Sequence, residues 1–299
     1  MRGAIGVPRI RRPAVAGYFY PQDPQALRTA IADYLAQAGR PKAPPNAART
    51  ARPVCSSLPK ALIAPHAGYV YSGSIAASAY TALGCAAHGI ERVVLIGPSH
   101  FLPFSGLAVS RAQAFETPLG TIRVDDAARR DVLRVPHVVT ADAPHAREHS
   151  LEVQLPFLQV LLDEFQVLPI AAGDATAREV AAALECVWGN EETLIVVSSD
   201  LSHYLEYAAA RSVDASTAQS ILNCSTELRG EQACGCVAIN GHMHVARQRE
   251  LEVRLLDLRN SGDTAAERAR VVGYGAFALY ETRAGRQTAP LRSDRAENR

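Results

Sequence analysis

K-A-L-I-A-P-H at 60–66, R-V-V-L-I-G-P-S-H at 92–100 and T-L-I-V-V-S-S-D-L-S-H at 193–203 each run from an apolar stretch straight into a histidine. Short apolar runs without alternation are the pattern of strands buried on both faces, as in parallel sheets. In open α/β sheets, ligands gather beyond the carboxyl ends of the strands. Three imidazoles delivered to one rim of one sheet would make a site.

Outward from these stretches, strand and helix signals alternate. Asp23 and Pro24 open a helix through Leu27, Ile31, Tyr34 and Leu35 that stops near Gly39. A helix near 73–83 follows strand 60–65, and strand 91–97 comes next. Shorter β signals at 106–110 and 119–124 suggest an inserted hairpin. Helices near 125–134 and 151–163, a strand at 166–171, and a helix at 177–188 opened by the capping box Thr176 to Glu179 continue the pattern. Strand 193–199, an Ala-rich helix near 206–222 and a last strand at 271–281 complete it. The expected fold is α/β: one domain over 1–284, a mostly parallel central sheet flanked by helices, a Pro-rich surface loop at 40–59 and a polar tail at 285–299.

Composition narrows the function classes. The chain has 299 residues, 48% hydrophobic and 20% charged, enough for a real core. A net charge of +1 gives no electrostatic case for nucleic acid or membrane as a partner. The basic N-terminus lacks the apolar core of a secretory signal, and no apolar run approaches the ~20 residues of a membrane span. A cytoplasmic setting is expected. Six cysteines in a chain this long do not form a disulfide framework. Cys55, Cys85, Cys186 and Cys224 read as small buried hydrophobes.

The candidate site residues sit past the strand ends. His66 and His100 each lie just after a break in an apolar run, where a histidine either bonds a backbone carbonyl or serves chemistry. Asp200, if it caps a following helix, shares one turn with His203. Imidazole is both the commonest metal ligand and the usual general base near neutral pH. Further donors could come from Asp200, Glu148, His149, Cys234 or Cys236. Ser150 reads as an N-cap for the next helix, and Gly235 would let the A-C-G-C backbone turn and present a thiolate. His242 and His244 read as surface or packing side chains, and His88, His137 and His145 as solvent-facing.

Six motifs together carry a resemblance. A-G-Y-F-Y-P at 16–21, A-P-H-A-G-Y-V-Y-S-G at 64–73, I-G-P-S-H at 96–100, E-H-S-L-E-V-Q-L-P-F-L at 148–158, S-S-D-L-S-H at 198–203 and A-C-G at 233–235 occur in this order. The ordered set resembles the Memo family, whose bacterial and archaeal members are also called AmmeMemoRadiSam system protein B. The resemblance covers roughly residues 9 to 282. It implies a fold like that of class III extradiol dioxygenases, the non-haem iron enzymes that open catechol rings. It implies a metal, iron or copper, on His66, His100 and Cys234, with Asp200 and His203 as neighbouring pocket residues. It also implies a functional association with radical SAM and AMMECR-like proteins. The dioxygenases use two histidines and a carboxylate. A cysteine in the carboxylate's place is softer and suits copper(I), zinc or iron–thiolate chemistry, so ring opening does not transfer with the fold. The segment C-V-A-I after Cys234 departs from the family pattern, which has a proline before the isoleucine. Cys236 is then an extra thiol, either a ligand, a redox partner or a packing residue.

Three functions follow from these residues. The first is a metal-binding redox protein holding iron or copper on His66, His100 and Cys234, with His203 as acid/base beside Asp200. The second is a metal-free hydrolase or transferase with Cys234 as nucleophile, His203 as base and Asp200 as orienter. The third is a non-enzymatic adaptor that binds a peptide or small molecule in a vestigial pocket.

Overall fold

The computed structural model describes residues 9–39, 58–265 and 267–282. Most of the Pro-rich 40–59 stretch, Cys55 and the tail from 283 lie outside the described residues.

The chain opens with β1 (Ile10–Arg11) and α1 (Pro24–Ala38), followed by β2 (Ala61–Ala64), α2 (Tyr69–Thr81) and β3 (Arg92–Pro98). Then come β4 (Leu107–Val109), β5 (Ala114–Thr117), β6 (Gly120–Val124), α3 (Asp126–Val132), β7 (Val138–Thr140) and the short α4 (Ala143–Ala146). A 3₁₀ turn at Glu152–Gln154 leads into α5 (Leu155–Leu161), β8 (Gln166–Ala172), α6 (Ala177–Cys186) and β9 (Thr193–Ser198). The last elements are β10 (His203–Leu205), α7 (Tyr207–Leu222), α8 (Cys236–Gln248), β11 (Glu252–Asn260), α9 (Ser261–Thr264) and β12 (Val271–Tyr280).

The four apolar runs form the centre of one mixed sheet in the order β8-β3-β9-β2, all parallel. Every residue of β2 and β9 is buried, as their lack of alternation requires. β12 closes one side antiparallel to β2, and β11 pairs with β12 as an outer strand. Helices cover both faces, and two apolar cores result. One packs α1, α2 and α5 against one face through Leu27, Ile31, Ile75 and Phe157; the other packs α6 and α8 through Val180, Leu184, Ile239 and Met243. The fold is therefore α/β, a single domain with a mostly parallel sheet between helical layers. No helix among the described residues is long and apolar enough to cross a membrane.

Local signals account for the helix starts. Asp23 accepts the Ala26 N–H at 2.8 Å with Pro24 at the first helical position, and Gly39 ends α1. Thr176 and Glu179 form the reciprocal capping box of α6.

Several expectations are corrected. The 106–110 strand is not half of a hairpin: β4 pairs with β8 and β7, and the hairpin is β5 with β6. The helix expected at 151–163 is a 3₁₀ turn followed by only Leu155–Leu161. Ser150 caps nothing; its hydroxyl donates to the Pro98 carbonyl at 2.8 Å. The 200–203 segment is not helical, so Asp200 caps no helix there. α8 and β11 are elements that the sequence reading left unassigned. His145 is not solvent-facing but buried, its Nε2 lying 3.0 Å from the Ala108 carbonyl. Cys85 is exposed and disulfide-bonded, not a small buried hydrophobe, and Cys186 and Cys224 are only half-buried.

Candidate metal centre

The register of the central strands builds the site. Ala64 of β2 lies opposite Ser198 of β9, so the chains leaving the two strands run side by side. Two residues on, the His66 N–H donates to Asp200 Oδ1 at 2.7 Å. The imidazole turns back onto β9, with Nδ1 2.9 Å from Ser198 Oγ. Ser198 has one hydroxyl proton, and it goes to the Ser150 carbonyl at 2.6 Å. Its oxygen already accepts from Gln154 Nε2 at 2.8 Å, so toward His66 it must again accept. Nδ1 therefore carries the ring proton, and Nε2 is left with a free lone pair. Burial pushes this imidazole well below its ordinary pKa, and the neighbouring rings of His149, His100 and His203 add to the shift.

His100 follows β3 and is locked by Glu148. That buried carboxylate accepts the His100 N–H at 2.6 Å and lies 2.9 Å from its Nδ1. It also accepts the N–H groups of His149 at 2.9 Å and Ser150 at 2.8 Å. Burial alone would raise Glu148, but the His100 ring and the backbone donors outweigh it and hold the carboxyl at about 2. A carboxylate accepts only, so the His100 Nδ1 carries a proton and its Nε2 is the free nitrogen. His149 stacks on His100 with ring centroids 4.7 Å apart. Burial brings its pKa down to about 4, against the pull of the Glu148 carboxylate 3.3 Å from its Nδ1. One ligand atom from each of His66, His100 and His149 lies within 4.8 Å of the others.

Cys234 arrives from the far side, just before α8. Its Sγ is 3.2 Å from His66 Nε2 and 3.7 Å from the Asp200 carbonyl oxygen. The turn works because Gly235 presses on β9: a Cβ there would sit 2.6 Å from the Ser199 Cβ. Burial, with the Asp200 charge adding, pushes the thiol above its ordinary pKa. Asp200 itself is raised by burial to about 7, against the stabilising N–H groups of His66 and Ala67.

His203 opens β10 and donates Nδ1–H to the Leu201 carbonyl at 2.9 Å, which leaves its Nε2 free. The next residue, Tyr204, has φ of 61° and is 63% exposed. Such a conformation costs a bulky residue of order 1–3 kcal/mol and is typical of functional sites. A cavity of about 770 Å³ is bordered by His100, His203, Leu205, Val213 and Cys234. A second cavity, of about 530 Å³, lies against Cys234 on the side of Phe104 and Asp174.

Of the residues singled out in the sequence, Cys234 meets His66, while His66 and His100 cluster with His149 rather than with the thiol, and His100, His203 and Cys234 border one cavity. Asp200 is adjacent but serves differently: it ties down the backbone after β2, and the His203 ring is oriented by Leu201. Cys236 starts α8 and packs against the apolar core on that face. His242 is a packing residue, fully buried and stacked on Trp188. Glu148 as the lock on His100, and Ser198 and Gln154 as the lock on His66, were not read from sequence. The only signal was the polar cluster in E-H-S-L-E-V-Q, inside an otherwise apolar segment.

The donor set fits a metal ion. It offers three imidazoles, one ligand atom of each within 4.8 Å of the others, two of them with the ring proton held on Nδ1, and a thiol against His66 Nε2. The model of the Memo-like protein family matches residues 11–278. The chain belongs to the Memo family. A MEMO1 family protein of Aquifex aeolicus (strain VF5) is 35% identical over 278 residues, spanning 89% of this chain and 97% of the relative. A MEMO1 family protein of Archaeoglobus fulgidus is 34% identical over 281 residues, with the same shares. One from Ignicoccus hospitalis is 35% identical over 283 residues, again 89% and 97%. The site of this Memo-family chain thus lies wholly within the matched region.

Proposed function

We propose that this Memo-family protein is a metal-binding redox protein. His66, His100 and Cys234 hold iron or copper, with His149 beside them as a fourth donor. The observation that carries the reading is the tautomer lock. Ser198 and Glu148 each fix a proton on Nδ1, so that His66 and His100 both turn a free Nε2 out of their backbone anchors.

A thiolate fits the third position better than a carboxylate. The two buried carboxylates nearby, Glu148 and Asp200, are already taken by backbone N–H groups. That argument weighs against ring-opening dioxygenase chemistry, whose ligand set has a carboxylate. It also weighs against the hydrolase reading, because the thiol's imidazole neighbour is His66 rather than His203. Bound here, iron or copper supplies an open coordination position and one-electron chemistry. The protein's own groups do the rest. His203, neutral and with its free Nε2 beside the cavity, accepts or returns a proton. Asp200 keeps the His66 backbone in place, and the apolar wall of Leu205 and Val213 limits water.

Metal analysis of the protein purified anaerobically, without added metal, tests the reading. The expected result is close to one iron or copper per chain, lost in His66→Ala and Cys234→Ser. Equal metal content in parent and variants would overturn it.

A further inference from the structure

Two arginines lie over rings that neighbour the site's histidines, and neither forms an ion pair with a carboxylate among the described residues. Arg147 lies over the Phe101 ring, with Cζ 5.1 Å from the centroid. Phe101 is half exposed and 6.1 Å, centroid to centroid, from His149. Arg270 lies over the Tyr204 ring, also at 5.1 Å. Tyr204 is 5.7 Å from His203 and is held outward in the left-handed conformation. Each pair thus joins an exposed ring to an unneutralised guanidinium, and each touches a pocket histidine. The chain as a whole is close to neutral, so these charges are local. Other large exposed apolar side chains follow the site histidines along the chain: Val70 and Tyr71 after His66, and Leu102 after His100. Glu231 is the one acidic side chain on the wall of the cavity beside His203, and it is exposed.

An exposed apolar rim marks a ligand surface. A guanidinium recognises carboxylate in a planar, two-pronged fashion, and a ring beneath it offers a stacking face. We propose that the mouth takes a small organic carboxylate with a flat apolar body, stacked on Phe101 or Tyr204 and held at its acid end by Arg147 or Arg270. This rests on the metal reading only for what happens deeper in the pocket; the rim selects by charge and shape with or without the ion.

The probes are benzoate and its uncharged counterpart benzamide, measured by calorimetry at low salt on the full chain. Arg147→Gln, Arg270→Gln and the double variant are compared with the parent, and metal content and thermal unfolding are recorded for each. The parent should favour benzoate by about tenfold, the scale of one charge-assisted contact. The double variant should lose that preference at unchanged metal content, and the single variants assign it to one arginine or to both. The same comparison on chelator-stripped protein separates the two readings. A preference kept without metal and lost without arginines supports the rim. A preference lost with the metal and kept without the arginines overturns it, as does equal binding of acid and amide or no binding of benzoate. Absence of metal from the parent sinks the metal reading alone.

Discussion

At the scale of single residues, the site is defined by which nitrogen of each histidine is left free. Glu148 decides this for His100, so Glu148→Gln should weaken metal binding roughly 10- to 100-fold, the usual cost of losing such a supporting carboxylate. Competition with a chromogenic chelator measures it, and unchanged affinity would mean that the carboxylate only shapes the loop. Away from the site, His145 and His242 are buried, and burial holds both at about 4. A depressed histidine is neutral in the folded chain while the unfolded chain already takes up a proton. Its contribution to stability is complete above about pH 6.5 and falls as pH drops toward 4. Each should cost about 2 kcal/mol between pH 7 and pH 5. Asp200, raised to about 7, acts in the opposite direction over about pH 4–7 and offsets about one of them. Denaturant unfolding of metal-free protein should therefore show lower stability at pH 5 than at pH 7. His242 has no hydrogen-bond partner at either ring nitrogen, so His242→Leu removes the titration without breaking a bond and should flatten the slope. An unaltered slope would contradict the neutral buried imidazole.

At the scale of elements, the strand exits were legible because β2, β3, β8 and β9 are buried on both faces and carry no alternation to confuse them. α8 was not. Asn240, Gly241 and the H-M-H run break its helical signal, and Gly241 is there for a reason that only packing reveals. A Cβ on it would meet the Val180 Cβ at 2.2 Å, where α8 crosses α6. Gly241→Ala should destabilise the chain by about 1–3 kcal/mol through overpacking, with metal content unchanged. Gly235→Ala should do the reverse, pressing on Ser199 and moving Cys234 off His66, so that metal is lost with a smaller drop in melting temperature. Thermal unfolding and metal assay on both variants separate the two glycines. β11 escaped notice because E-V-R-L-L-D-L-R-N mixes charge with apolar residues, as suits a strand on the edge of a sheet. The hairpin was misplaced because both candidate partners of β6 are short, and pairing is settled by neighbours far along the chain. His149 could be read only as a candidate donor because its role depends on the turn that Glu148 organises, not on a strand.

At the scale of the molecule, the N-terminal segment is bolted across the site's outer wall. Glu152 accepts from Arg11, from the Ala14 and Val15 N–H groups and from the Tyr20 hydroxyl, while Arg11 also reaches the Glu148 carbonyl at 2.6 Å. Phe19, on the same segment, lies 4.7 Å from His149, ring to ring. Arg11→Met leaves a buried carboxylate without its cation and should cost about 3–5 kcal/mol. Limited proteolysis should then cut within residues 12–20 before the core is attacked; parent-like resistance would show that the segment is held by other contacts. The meeting of Cys234 with His66 spans 168 positions of chain. During synthesis the nascent polypeptide offers no local chelate: the site's side chains emerge one or two at a time, and the thiol comes last. On the proposed reading, metal capture would be a checkpoint on completed topology, because a misassembled chain would leave the ribosome without a site to load.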